Sequence, residues 1–450
     1  MTDDPQNESK SLGRNIFAEN KPPISEKKVE IKTNEDQQPS ESRSIGRNMF
    51  SEPLKEQSSA AGESGEFEIR ESSSLLDKTS KKSKPVKSSG KSKLINALHI
   101  TDENVVFAQT FYDGANYKLS NLQVVPIELP KLTEENVFKD KEDPIIARKR
   151  LQLEAINRVF SNAGVSKNDP HIVSALTGNK IIIKEVFLKN TPEENIEIEL
   201  PKVLQSPFDA FSRYEYLKLS STGTDHRILA SIVDSKIFFG YQSFLNSAEV
   251  ECKILDIDKM ALINLYNESV NPPIGTVACI IDIGEDSSNI IIVPNGNEEL
   301  YIRSIDFTGS QFRKMLQKNR DISSEETEEM LRTRNFYDYI TKAFEAETTE
   351  NLNQHYGVKK YIRMQLLREL QKTFQYYSGQ NHNKIPTKIY VTGKAVGMNK
   401  FPQFITKNTD IPCEYLDVAG FFEGDGNMIK YANETQDVCY TCLGLALRYE

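Results

Sequence analysis

From Leu94 onward, short runs of alternating or crowded apolar residues take turns with longer runs in which they return every third or fourth position, the periods of strand and helix. The pattern opens with a meander of strands at Leu94–Ile100, Val105–Phe111 and Tyr117–Val125, with a turn at Asp113-Gly114. A helix follows from Asp143-Pro144, where the carboxylate caps and the proline suits the first turn; Ile146, Leu153, Ile156 and Phe160 mark its apolar side. Strands are expected at Ile172–Leu176, Lys180–Leu188, Arg227–Val233 and Glu251–Ile257, with helices at Lys236–Ala248 and Lys259–Asn267. A second half opens with a hairpin around Asp282 and the strand Tyr301–Asp306. It continues through a helix at Gln311–Gln317, an acidic helix from Ser323 and a helix Tyr361–Tyr377 with Ile362, Leu366, Leu370, Phe374 and Tyr377 on one side. Strands Lys388–Thr392 and Cys413–Leu416 and a final helix complete an α/β pattern.

Before Leu94 the periodicity stops. Residues 1–93 are rich in Ser, Glu, Lys, Asn and Pro and hold few aromatic residues, too little apolar area to offset chain entropy, so a disordered tail is expected ahead of a folded unit over 94–450. Inside the tail Ser11-Leu-Gly-Arg-Asn-Ile-Phe-Ala-Glu19 recurs as Ser44-Ile-Gly-Arg-Asn-Met-Phe-Ser-Glu52. Two copies cannot build a solenoid. They read as short docking motifs, with Phe17 and Phe50 as apolar anchors and Arg14 and Arg47 for a carboxylate, against the rival reading of a neutral duplication. The run Lys78–Lys93 interleaves lysine with serine, which suits a solvated linker or a weak attraction to anionic lipid.

The 450 residues carry a formal net charge of −9 and a pI near 5.4, which argues against a broad footprint for nucleic acid. The five cysteines lie scattered through apolar pattern, so a disulfide framework is not expected and a reducing cytoplasm fits. Cys439 and Cys442 have metal or redox spacing but run straight into Leu443–Leu447, and are read as buried helix cysteines. The five histidines are dispersed, and no apolar run approaches the roughly 18 to 20 residues that would span a bilayer. Any membrane association is then indirect or electrostatic.

The stretch Val277–Val293 carries the most specific chemistry. An apolar strand delivers Asp282, turns at Gly284, shows Ser287, Ser288 and Asn289, and re-enters a strand. Glycine lets backbone N–H groups approach an anion, the small polar residues donate, and the aspartate could hold a metal-bound water. An ordinary hairpin would use Asp and Gly in the same places merely to turn.

Taken with Ser174-Ala-Leu-Thr-Gly-Asn-Lys180, Leu367-Arg-Glu-Leu-Gln-Lys-Thr-Phe-Gln-Tyr-Tyr377, Val391-Thr-Gly393 and Gly444-Leu-Ala-Leu-Arg448, this hairpin resembles the actin-like ATPase superfamily, and within it the PilM family of type IV pilus assembly proteins. The resemblance covers Leu94 to the last residue. It implies an actin-like ATPase fold of two duplicated lobes, with ATP and magnesium in the cleft between them.

On that resemblance Asp282, Gly284, Ser287, Ser288 and Asn289 sit at phosphate and metal, Asp282 being the metal carboxylate, and Gly309 marks the turn after the next strand. The adenosine loop is Gly393-Lys394, with a long side chain where the family places a second glycine. Glu369, Lys372 and Thr373 fall where the family holds the ribose and base, or else belong to an ordinary amphipathic helix. The first phosphate hairpin departs most: His99-Ile-Thr-Asp-Glu-Asn-Val-Val106 puts His99 for aspartate, Thr101 for glycine, Val106 for lysine, and the carboxylates of Asp102 and Glu103 toward a polyanion. ATP and magnesium are therefore expected to bind weakly or not at all, and efficient hydrolysis is not expected.

The resemblance further implies a cytoplasmic scaffold, peripheral to the inner membrane, in the assembly platform of a type IV pilus or related secretion system. Its partners would be the cytoplasmic peptide of a PilN-like bitopic membrane protein and other platform components, with self-association also open. The alternatives are an active ATPase or kinase of the superfamily, and a division protein like FtsA. The second is disfavoured by the lack of an amphipathic anchor after Gly444–Arg448.

Overall fold

The computed structural model describes residues 93–127, 143–178, 180–204, 212–345 and 356–448. The repeat residues Arg14, Phe17, Arg47 and Phe50 lie outside them. The expected meander is present as β1 (Lys93–Ile100), β2 (Asn104–Tyr112) and β3 (Tyr117–Pro126), all antiparallel. Helix α1 (Pro144–Ala163) starts where the Asp143 carboxylate accepts the Ile145 N–H at 2.7 Å and stops at Gly164 in the left-handed region. Next, β4 (Ile172–Leu176) joins β1 in parallel.

An excursion then leaves the sheet. Strand β5 (Ile181–Leu188), helix α2 (Ile196–Leu204), and strands β6 (Ser212–Thr222) and β7 (Asp225–Asp234) form a three-stranded antiparallel sheet in the order β5-β7-β6, covered by α2. Helix α3 (Ser235–Ser247) returns the chain, β8 (Ile254–Ile257) pairs with β4 in parallel, and α4 (Asp258–Val270) leads away.

The second half consists of β9 (Val277–Ile283), β10 (Ser288–Pro294), β11 (Tyr301–Ile305), α5 (Gly309–Arg320), α6 (Ser324–Arg332), α7 (Arg334–Glu345), α8 (Arg368–Gln380), β12 (Lys388–Gly393), α9 (Phe401–Thr409) and β13 (Cys413–Tyr415). A π turn at Ile362–Leu367 precedes α8 in the same helical run. The expected acidic helix is α6, opened by a capping box between Ser323 and Glu326. Strand β14 (Glu423–Gly424), α10 (Gly426–Glu434) and α11 (Gln436–Leu445) end the fold.

The two large sheets repeat one plan. Their orders are β3-β2-β1-β4-β8 and β11-β10-β9-β12-β13, each with an antiparallel meander followed by two strands parallel to the first. These are the duplicated lobes of the actin-like ATPase fold. Strand β14 crosses back to extend the first sheet beside β3.

Helices α4 and α11 form the layer between the lobes. Residues Lys259–Tyr266 of α4 are buried on every side, as is expected of a helix with a sheet on each flank. One continuous apolar cluster joins Ile95 and Ala97 of β1, Met260 and Leu265 of α4, Ile280 and Ile291 of the second sheet, and Leu443 of α11. Cys439 and Cys442 are buried in α11, and burial pushes the Cys439 thiol up to about 12, as the reading of buried helix cysteines requires. The first sheet's other face packs on α1 and α3, and the second sheet's other face on α5 to α9.

Candidate functional site

The last residues of β1 and β9 and the first residues of α4 meet between the lobes. Strand alternation puts Asp282, Asn289 and Ser304, which are cross-strand neighbours, on the same face as Ile280 and Ile291, toward the central helices. His99 shares the corresponding face of β1 with Ile95 and Ala97. Asp258 and Lys259 enter from the start of α4, where the Lys259 ammonium donates to Gly178 O at 2.9 Å and to Asp258 Oδ1 at 3.1 Å.

Burial dominates the charges of this floor. His99 is 6% exposed with neither ring nitrogen hydrogen-bonded, and burial pushes its pKa down to about 4, with the Asp258 carboxylate opposing. Asp282 is pushed up to about 6 by burial and then by the like charge of Asp258, while the Asn289 amide at 3.5 Å and Lys259 pull it down.

The turn after β1 is closed on itself. The Thr101 hydroxyl accepts the N–H groups of Glu103 at 3.3 Å and Asn104 at 3.0 Å, the Thr101 N–H donates to Asn104 O at 2.9 Å, and Asp102 pairs with Arg148 at 2.7 Å. The threonine that replaces the expected glycine thus takes up the backbone donors of its own turn.

The turn after β9 packs against the start of α5. Gly284 N–H donates to Ser288 Oγ at 3.2 Å, and a side chain at Gly284 would overlap the Ser287 carbonyl, which explains the glycine. Gly284 O and Glu285 O accept the first two N–H groups of α5, from Gly309 at 2.9 Å and Ser310 at 3.0 Å. The third, Gln311 N–H, goes to Thr308 Oγ1 at 3.4 Å. Helix N-termini attract anions through such orphan donors, and here all three already have oxygen partners.

Of the expected residues, Asp282, Gly284, Ser287, Ser288, Asn289, Gly309, Gly393 and Lys394 come together. Gly393 has φ 65°, and a Cβ there would overlap Ile283 O and lie 3.0 Å from Asp282 Oδ1. The Lys394 stem passes over Gly309, whose added Cβ would be 3.2 Å from Lys394 Cγ. Its ammonium crosses to the first lobe, 3.1 Å from Glu103 Oε2 and 3.4 Å from Asp437 Oδ2 at the start of α11.

Glu369, Lys372 and Thr373 lie elsewhere. Glu369 pairs with Arg303 of β11 and with Lys372 at 2.7 Å, and Arg303 lines up with Ile290 and Ile281 on the face turned away from Asp282. The Thr373 hydroxyl donates to Glu369 O at 2.7 Å. Within this helical run, whose described part begins at Tyr356, the residue that reaches the segment before α5 is Tyr361, whose hydroxyl accepts Thr308 N–H at 3.1 Å and donates to Asp306 O at 3.0 Å.

Sequence reasoning missed Glu285, Asp286, Arg313, Asp437 and Tyr361. Arg313 holds Glu285 and also reaches Glu328 at 3.3 Å, and Asp286 accepts from Ser310 Oγ at 3.2 Å. The adjacent acids between Gly284 and Ser287 were a legible signal of a turn with negative charge at its tip. Among the described residues, no group of three or more His, Cys, Asp or Glu is placed to hold a metal ion, and no helix is long and apolar enough to cross a membrane.

A family model described as type IV pilus assembly protein PilM matches residues 98–450. Among solved structures, the chain resembles one in a PilM–PilN type IV pilus biogenesis complex, with 17% identity and a TM-score of 0.61 over 79% of this chain and 98% of that one. Lesser likeness extends to the ethanolamine utilization protein EutJ from Carboxydothermus hydrogenoformans (10% identity, TM-score 0.40, 79% and 89% covered). It extends also to MreB 5 of Spiroplasma citri bound to AMPPNP (12% identity, TM-score 0.39, 76% and 95% covered). No match is found among curated proteins. With more than three quarters of its length matched by that model, the chain belongs to the PilM family of type IV pilus assembly proteins.

Proposed function

We propose that this PilM-family protein is a non-hydrolysing scaffold of a type IV pilus assembly platform, on the cytoplasmic side of the inner membrane. The observation that carries the non-hydrolysing part is that donors at the first turn and at the helix start facing the second, at Thr101–Asn104 and Gly309–Gln311, already have partners within the chain. Carboxylates stand at both tips, Asp102 and Glu103 on one and Glu285 and Asp286 on the other. Arg148, Lys394 and Arg313 pair with Asp102, Glu103 and Glu285, so a triphosphate would have to displace internal hydrogen bonds and compete with these carboxylates for the cations. Asp282 remains as the carboxylate that would hold magnesium, but the donor set around it does not fit a polyphosphate.

Attachment to the membrane would run through a PilN-like bitopic protein, whose cytoplasmic peptide would seat on the first lobe by strand addition or apolar anchors. Support for that partner is the similarity to a PilM–PilN complex, together with a family assignment that covers both lobes.

The test is calorimetric titration of the full chain with ATP and magnesium, beside capture of the chain by vesicles bearing the platform's bitopic protein. Expected are a Kd weaker than about 1 mM for ATP, which is under ~4 kcal/mol of binding, and capture that needs no nucleotide. Multiple-turnover hydrolysis abolished by Asp282→Ala would overturn the non-hydrolysing part. Capture strictly dependent on ATP would overturn the claim of a nucleotide-independent scaffold.

A further inference from the structure

Beyond the apolar cluster they share, the lobes are tied to each other at two separate places made of charged side chains. The first is Lys394, which leaves the second lobe after β12 and pairs with Glu103 of the first at 3.1 Å and with Asp437 at 3.4 Å. The second lies at the far end of β11. There Glu185 of β5 and Arg227 of β7, paired with each other in the three-stranded excursion, both reach the other lobe. Glu185 Oε2 accepts Leu300 N–H at 3.1 Å, and Arg227 Nη2 donates to Glu298 O at 2.6 Å. Lys384 holds the Glu298 side chain, and Asn381 Oδ1 accepts Glu299 N–H at 3.0 Å, so the receiving segment is itself anchored beneath α8.

We propose that these two clasps together lock the lobes in one arrangement without any ligand, so that separating the lobes requires both to break. The Glu185 side chain is 2% exposed and that of Arg227 is 17% exposed, and Ile183, Leu229 and Leu300 belong to the same apolar cluster around them. Opening there would leave the Glu185–Arg227 pair together on the excursion but break its two charge-assisted hydrogen bonds to Leu300 N–H and Glu298 O, both shielded from water. Lys394, with its side chain 18% exposed, is wetter on the partner side, since Glu103 and Asp437 are 37% and 38% exposed. The cleft clasp is therefore the weaker and more salt-sensitive of the two. The inference does not depend on how the cleft treats nucleotide.

Hydrogen exchange of the full chain, read by mass spectrometry, tests the lock. If one opening motion is guarded by both clasps, Lys394→Met accelerates exchange not only around residues 101–106 and 309–313 but also at 298–302, which it does not touch. Reciprocally, Arg227→Met accelerates exchange at 101–106. A remote effect of threefold or more in both directions is expected, with the centres of β1 and β9 unchanged. Changes confined to each substituted neighbourhood would reduce the clasps to two local contacts and overturn the proposal. Should Arg227→Met fail to fold, Glu185→Gln keeps an oxygen for Leu300 N–H while removing the charge, and the remote effect of Lys394→Met still decides the matter.

Discussion

Two groups on the floor of the cleft should oppose each other as pH changes. For His99 the native pKa of about 4 lies below the ordinary 6.5, so between these values the unfolded chain binds more protons and stability rises with pH. For Asp282 the native value of about 6 lies above 3.8, so between those values the native chain binds more protons and stability falls with pH. At 1.36 kcal/mol per pKa unit each contributes about 3 kcal/mol, with opposite sign, and the windows overlap from about pH 4 to 6. In the wild-type chain the two slopes nearly cancel there. Asp282→Asn removes the falling contribution and leaves that of His99, so relative to wild type its stability should climb by about 3 kcal/mol between pH 4 and 6, and the variant should be more stable at pH 7.5. His99→Gln removes the rising contribution and leaves that of Asp282, a decline of about 3 kcal/mol relative to wild type between pH 4 and 6.5. The assay is equilibrium urea unfolding of the three proteins at half-unit pH steps, read as differences so that the remaining carboxylates drop out. Parallel curves for wild type and Asp282→Asn would refute burial as the source of the Asp282 shift, and parallel curves for wild type and His99→Gln would do the same for His99.

Two further outcomes follow from buried contacts and one from the tail. Arg448 Nη2 lies 2.5 Å from Asp256 Oδ2, with the side chains 2% and 0% exposed, so Arg448→Ala should cost about 3–5 kcal/mol in urea unfolding, and Arg448→Met with Asp256→Leu should recover most of it. Gly444 of α11 crosses α4 so closely that a Cβ would overlap Ala261 O, and Gly444→Ala should cost about 1–3 kcal/mol in the same assay. If the repeats act as a bivalent motif, Phe17→Ala and Phe50→Ala should each weaken partner capture or self-association slightly and the double variant severely; no loss from the double variant would leave the repeat a neutral duplication.

Periodicity made the strands at the centre of each sheet legible, because β1, β4, β9 and β12 are apolar enough to stand out from their surroundings. The cap at Asp143 and the capping box at Ser323 were local and also legible. By contrast β6 was missed, since it is an edge strand whose residues are half-exposed or exposed and show no clean alternation. Helix α2 hid behind Pro201, and α7 and α9 also went unforeseen; the strand expected from Glu251 begins at Ile254. At the site, the hairpin residues were recognisable because they are contiguous. Which face of the sheet Glu369 occupies depends on its pairing with Arg303, and which carboxylates Lys394 meets depends on contacts across 43 and 291 intervening steps of chain. Helical spacing reports that a side chain faces inward, but not toward what.

The return of the chain's end to the first lobe bears on how the protein is made. Thr110 of β2 donates to Ala446 O, 336 positions later, and Cys442 Sγ points to the carbonyls of Ala97 and Val106. During translation at about 5–20 residues per second, β2 would wait roughly 15–70 s for the segment that covers it. Until then β3 presents an unpaired edge and β1 an uncovered apolar face, the features that invite aggregation. Ribosome-bound chains halted before residue 420 should therefore engage chaperones, and release of the last thirty residues, not completion of the first lobe's own strands, is the step that commits the nascent protein to its native state.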